Sequence, residues 1–127
     1  MDFINPSGIA APASKYSQGI LLPASGQRLV ISGQIGMTKD GKVADGMEAQ
    51  LRQTWGNLFA VLKAGGMAHT DLVKVMTFVT DRSSVGLVRT IRDEFMQGHT
   101  PASTFLVVAG LAMPELLCEI EAEAVKA

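Results

Sequence analysis

The sequence predicts an α+β domain of two layers, with two helices laid on one face of one sheet, in the order strand, strand, helix, strand, helix, strand, strand. Three observations carry this. Two stretches repeat apolar residues every three or four positions, shorter stretches between and around them are rich in β-branched and apolar residues, and Gly, Pro and Asp cluster at the junctions. With 127 residues, 47% of them hydrophobic, the chain has the size of one domain and can bury a core of its own, so residues 1–127 are read as a single domain.

Residues 1–14 carry Pro6, Gly8 and Pro12 among small side chains and read as an extended arm, with order beginning near Tyr16. Tyr16 to Leu22 and Arg28 to Ile35 are strand-like and flank Pro23-Ala24-Ser25-Gly26, a turn composition that predicts an antiparallel hairpin. Lys39-Asp40-Gly41-Lys42 is a second turn. From Gly46 to Ala64 the spacing of Met47, Leu51, Trp55, Leu58 and Leu62 predicts one amphipathic helix, stopped by Gly65-Gly66. Leu72 to Thr80 is apolar on both sides, Val73, Val75 and Val79 against Leu72, Met76 and Phe78, which predicts a central strand buried on both faces. Asp81 to Ser84 offers capping side chains. Leu87, Val88, Ile91 and Phe95 form the buried stripe of a second helix ending near Gly98. Two strands close the chain, Ser103 to Gly110 and Leu116 to Val125. The second of these alternates Cys118, Ile120, Ala122 and Ala124 with Leu117, Glu119, Glu121 and Glu123. Its acidic face looks either at water or, at Glu119, into a cleft, in which case the two strands are expected to bring Glu119 together with Ser103.

Composition excludes several functions. A net charge of -1 and eleven scattered Lys and Arg do not make the basic footprint that nucleic acid requires. The longest apolar run, Phe105 to Met113, falls short of the ~20 residues of a membrane helix, and the first residues lack a basic-then-apolar signal, so a soluble cytoplasmic protein is expected, with no membrane partner. The one cysteine, Cys118, is read as a small core hydrophobe. No metal or cofactor is expected. Two helices on one sheet face leave the other face uncovered, and its apolar side chains predict self-association, with clefts between subunits as the place for a ligand.

The chain resembles the RidA/YjgF family of imine and enamine deaminases, also labelled endoribonuclease L-PSP. The resemblance rests on Tyr16-Ser17-Gln18, Ser32-Gly33-Gln34, Gln53-Thr54 with Asn57-Leu58, Leu62 through Gly65, Val73-Lys74, Phe78 to Asp81, Phe95, Pro101-Ala102 and Glu119-Ile120-Glu121-Ala122. It implies a chorismate-mutase-like domain with a mixed sheet, a homotrimer joined through the open sheet face, and a small-molecule ligand in each of three intersubunit clefts. By resemblance Tyr16 lines the pocket, Ser32 hydrogen-bonds the ligand, the backbone near Phe105 supplies a polar contact, and Glu119 holds or activates a water. Without the resemblance each has an ordinary reading: a strand aromatic, a hydroxyl satisfying backbone, a surface acid. Where the family carries an arginine after Pro-Ala, this chain has Ser103, which offers a hydroxyl and no charge. Arg82, Arg89 and Arg92 belong to the second helix region, and His99 is read as a solvated loop residue. The expected function is a homotrimer that binds a small metabolite in clefts between subunits, as a water-dependent deaminase or hydrolase whose substrate lacks a carboxylate or binds it differently, because Ser103 leaves deamination of standard 2-imino acids without the family's arginine. The alternative is a module that binds a small ligand without turning it over; ribonuclease activity finds no support in the charge.

Overall fold

The stripe of Met47, Leu51, Trp55, Leu58 and Leu62 winds into α1, Met47–Ala64. The computed structural model describes residues 1–127. The helix stops where expected: Met67 N–H bonds the Leu62 carbonyl at 2.8 Å and Gly66 N–H that of Lys63 at 3.0 Å, with Gly66 at φ 73°. This closure needs a left-handed residue, and glycine alone enters that region without steric cost. α2, Val85–Met96, follows a short helical turn over Arg82–Ser84. The strands are β1 Asp2–Ile4, β2 Gly19–Leu21, β3 Gln27–Ile35, β4 Leu72–Val79, β5 Ala102–Val107 and β6 Cys118–Lys126. The main sheet runs β3-β6-β4-β5, with β4 and β5 parallel and the other pairs antiparallel. It is therefore a mixed sheet, with β4 central as its two-sided apolar pattern required.

Both helices lie on one face. Leu51, Trp55, Leu58 and Leu62 of α1 and Val88, Ile91 and Met96 of α2 share a core with Ile31, Val75, Val79, Cys118, Ile120, Ala122 and Ala124 from the strands. Trp55 is fully buried, stacked on Phe95 with ring centres 6.0 Å apart, while Phe59 meets Phe95 edge-on at 5.4 Å. The opposite face is open. Val30 is 68% exposed and Leu106 43%, with Met76 and Phe78 half-buried between them. No helix is long and apolar enough to cross a membrane.

The structure corrects several expectations. β3 does not form a hairpin with the preceding strand; it pairs with β6, Arg28 beside Val125 and Ile31 beside Ala122, while β2 pairs with β1. The Pro23–Gly26 segment reverses the chain, but turn chemistry does not select a partner. The nine-residue β6, with one apolar face in step with β3, offers more burial than a three-residue β2. The amino-terminal arm accordingly begins with a strand. On β4 the register shifts between Leu72 and Lys74, so Leu72 joins the core with Val75 and Val79, and the face bearing Met76 and Phe78 is only half-buried in one chain. Finally, β5 ends at Val107, and Val108 N–H bonds the carbonyl of Val79.

Asp81 ties β4 to α2. Its Oδ1 accepts from Ser83 Oγ at 2.8 Å and from Ser83 N–H at 2.9 Å, and these bonds hold the carboxyl below its usual pKa. A carboxyl whose pKa is depressed by folding stabilises the fold above its unfolded pKa and loses that contribution as pH falls through the folded value. Asp81→Ala should therefore lower the thermal midpoint near neutral pH, and its difference from wild type should shrink as pH falls below the ordinary carboxylate range. Unfolding followed by circular dichroism across pH checks this.

Candidate functional site

Side chains in adjacent strands share a face when their residues are register partners, so the site can be read row by row. Ser103 lies beside Val75, and Val75 beside Ala122: this row faces the helices. Phe105 lies beside Thr77 and Ile120 on the same face and packs against the core. Glu119 lies beside Phe78, which lies beside Leu106, and this row faces the open side. Ser103 and Glu119 thus align with β4 residues three apart, an odd step in a period-two element. They point to opposite faces, and one protomer does not bring them together.

Five residues singled out from the sequence fall into two groups. On the open face, Ser32 and Gly33 form a bulge opposite Glu121, between the pairs Ile31–Ala122 and Gln34–Ile120. Ser32 is exposed, and a Cβ on Gly33 would lie 1.9 Å from Glu119 Oε2. Only a residue without a side chain lets the half-buried Glu119 carboxylate rest over that backbone. Glu119 enters none of the five ion pairs, whereas Glu123 on the same face holds Arg28 at 2.6 Å. Asn57 fixes the end of β3, its Nδ2 donating to the carbonyls of Ile35 at 3.0 Å and Met37 at 2.9 Å.

The second group lies at the β5 edge. Ser17 anchors the incoming chain there: its N–H bonds the Pro101 carbonyl at 3.2 Å and its Oγ that of Thr100 at 2.5 Å. Tyr16 is thereby placed in a pocket of about 190 Å³ lined by Ser14, Tyr16, Arg89, Arg92, Ser103 and Phe105. The two arginines were not read as site residues from the sequence. The available signal was Arg92 itself, a charge four residues after Val88 and next to Ile91 on the buried stripe of α2, with Arg89 one turn before it. Arg92 is 8% exposed.

A hollow of about 550 Å³ is lined by Asp45, Gln50, Glu115 and Leu117 among others, and the Gln50 amide in it is fully engaged. Gln50 Nε2 donates to the carbonyls of Ala44 and Glu115, and its Oε1 accepts from Leu117 N–H at 2.8 Å. No three His, Cys, Asp or Glu side chains converge to hold a metal. Cys118 is fully buried, and burial pushes its thiol pKa up, against a weak bond to Thr54 and with the Glu119 charge adding to the rise. It is a core residue. His99 is not a solvated loop residue: its Nε2 lies 2.7 Å from the Leu72 carbonyl and its ring meets the edge of Phe3 at 5.7 Å.

The sequence profile of endoribonuclease L-PSP matches residues 8–126. The chain belongs to that family, the RidA/YjgF proteins. Among family relatives, a 2-iminobutanoate/2-iminopropanoate deaminase of Rattus norvegicus is 34% identical over 97% of this chain and 88% of its own length. One of the same name from Salmonella typhimurium is 36% identical over 91% of this chain and 92% of its own. Among solved structures, YyfB of Yersinia pestis, described as a Rid-family protein of unknown function, has a TM-score of 0.89 at 31% identity, covering 98% of both chains. The YjgF product of Escherichia coli has a TM-score of 0.75 at 30% identity over 100% of both. The family includes RidA-type imine deaminases, and the two helices packed on a mixed sheet are the fold of its solved members.

Proposed function

We propose that this protein is a homotrimeric, water-dependent deaminase acting on a small imine or enamine, in the manner the names of its relatives describe. The observation that carries the reading is the Glu119 carboxylate, free of ion pairs and resting over Gly33 on an open face. Hydrolysis of a C=N bond needs water delivered to the carbon and a proton delivered to the nitrogen, so that an imine and one water give a carbonyl and ammonia. A positioned carboxylate can take the proton from the attacking water and return it to the departing nitrogen.

Because Ser103 and Glu119 lie on opposite sheet faces, against the expectation that they share one cleft, a site that uses both requires two copies of the chain. In this reading the open face, with Val30, Phe78 and Leu106, packs against a neighbour. The Glu119 and Ser32 of one protomer then complete the Tyr16, Ser103 and Phe105 pocket of the next. Exposed apolar side chains in such a patch favour burial between subunits. Light scattering at micromolar concentration should return three times the 13.5 kDa chain mass; a monomer mass would remove the composite site. The activity itself is tested by hydrolysis of 2-iminopropanoate generated in situ, measured against its spontaneous rate. Ser103, which takes the charge of the family arginine away from β5, favours one second reading: a trimer that binds a small ligand without turning it over. Binding of a keto-acid analogue with no rate above background would select that reading.

A further inference from the structure

We propose that α2 supplies the anion grip that β5 lacks: Arg92, assisted by Arg89, receives the carboxylate of a small substrate in the pocket shared with Tyr16, Ser103 and Phe105. This rests on the function proposed above and adds to it the residues of this chain that hold the substrate's carboxylate. The primary observation is an unfilled donor. Arg92 Nε donates to Asp93 Oδ1 at 3.1 Å, but Nη2 is buried without a hydrogen-bond partner, lying 3.0 Å from the same oxygen without the alignment of a hydrogen bond. Its side chain is 9% exposed. Buried polar groups are almost always paired, and an Nη2 sealed from water with only a misaligned carboxylate beside it is held at a cost that a better-placed anion reduces.

The rest of the pocket fits the same ligand. Arg89, one turn earlier on the same helix face, is exposed at the rim, so two guanidiniums stand against the single carboxylate of Asp93. Ser14, Tyr16 and Ser103 add hydroxyls, which accept or donate without adding charge. The rings of Tyr16 and Phe105 give apolar walls for a short alkyl group. A volume of about 190 Å³ lies below the ~300–1,000 Å³ of pockets for drug-sized ligands and suits a metabolite of a few heavy atoms. A planar guanidinium fork matches a carboxylate in two parallel hydrogen bonds, and Ser103 in place of a longer side chain leaves room for the fork to come from the helix.

Tyr16 is the only tyrosine in the chain, so its ring resonances report on this pocket without ambiguity. Pyruvate, neutral pyruvamide and inorganic phosphate are titrated into the full-length wild type, Arg92→Met and Arg89→Ala, following those resonances by NMR. Pyruvate should bind the wild type, about 10-fold or more weakly in Arg92→Met and a few-fold more weakly in Arg89→Ala, while pyruvamide should bind weakly and equally to all three. Equal pyruvate affinity in wild type and Arg92→Met overturns the proposal, as does phosphate binding tighter than pyruvate or no response of Tyr16 to pyruvate. Should Arg92→Met fail to fold by circular dichroism, exposed Arg89→Ala decides: unchanged pyruvate affinity overturns the proposal. The two readings separate cleanly. Arginine-dependent pyruvate binding without imine hydrolysis keeps the grip and removes the deaminase, whereas hydrolysis with an unchanged KM in Arg92→Met does the reverse.

Discussion

Glu119→Gln should lower the rate of 2-iminopropanoate hydrolysis by about 10²–10⁴-fold, the usual contribution of a positioned acid–base group, with little change in pyruvate affinity. The amide keeps the size of the carboxylate and can still hydrogen-bond a water, but it cannot accept the proton that the attacking water must lose. The substitution therefore separates holding water from activating it. Glu119 forms no ion pair, so its loss as a charge leaves no buried cation unpartnered, and the fold should survive. Gly33→Ala probes the same group through its position. The new methyl would sit 1.9 Å from Glu119 Oε2, and the flexible carboxylate end must swing away. A smaller loss of kcat, with the chemistry of Glu119 intact, is expected. Burst-free steady-state kinetics on both variants, alongside pyruvate titration, checks the pair. Full activity in Glu119→Gln would take the carboxylate out of the mechanism.

Trp55→Ala should destabilise the domain by about 3–5 kcal/mol, the range for emptying a large aromatic site in a core. Trp55 is 0% exposed, sits at the centre of α1, and is the aromatic plane on which Phe95 of α2 stacks and against whose edge Phe59 leans, 6.3 Å between ring centres. Its Nε1 has no hydrogen-bond partner, so truncation loses packing alone and frees no acceptor. Domains of this size carry roughly 5–15 kcal/mol in total, and a loss of this magnitude moves the thermal midpoint by roughly 10–20 °C. Trp55→Phe, which keeps one ring against Phe95, should recover more than half of the loss. Urea unfolding gives both values. An alanine variant with an unchanged midpoint would mean that α1 and α2 are held together elsewhere.

Local pattern determined much of this molecule from the sequence. The bounds of α1 and its Gly65-Gly66 stop, the central place of β4, the core role of Cys118 and the alternation of β6 all follow from periodicities and turn residues that act within a few positions of one another. The motifs Ser32-Gly33 and Glu119-Ile120-Glu121-Ala122 likewise carried the family resemblance. What tertiary structure decided was pairing and parity. Whether β3 takes β2 or β6 as its partner depends on which long-range strand matches its length and apolar face, and nothing in Pro23–Gly26 encodes that choice. The parity of Ser103 and Glu119 is hidden in the same way. Each reads as a polar position on an apolar strand, and only their shared alignment on β4, at Val75 and Phe78, sends them to opposite faces. Arg92 completes the lesson: one-dimensional spacing marks it as a charge on a buried stripe, but its unsatisfied Nη2 and its place in the pocket are visible only in the folded chain, with Tyr16 held beside it by Ser17. Side-chain direction is set by contacts between segments far apart in the chain, and it decides which residues can share a ligand.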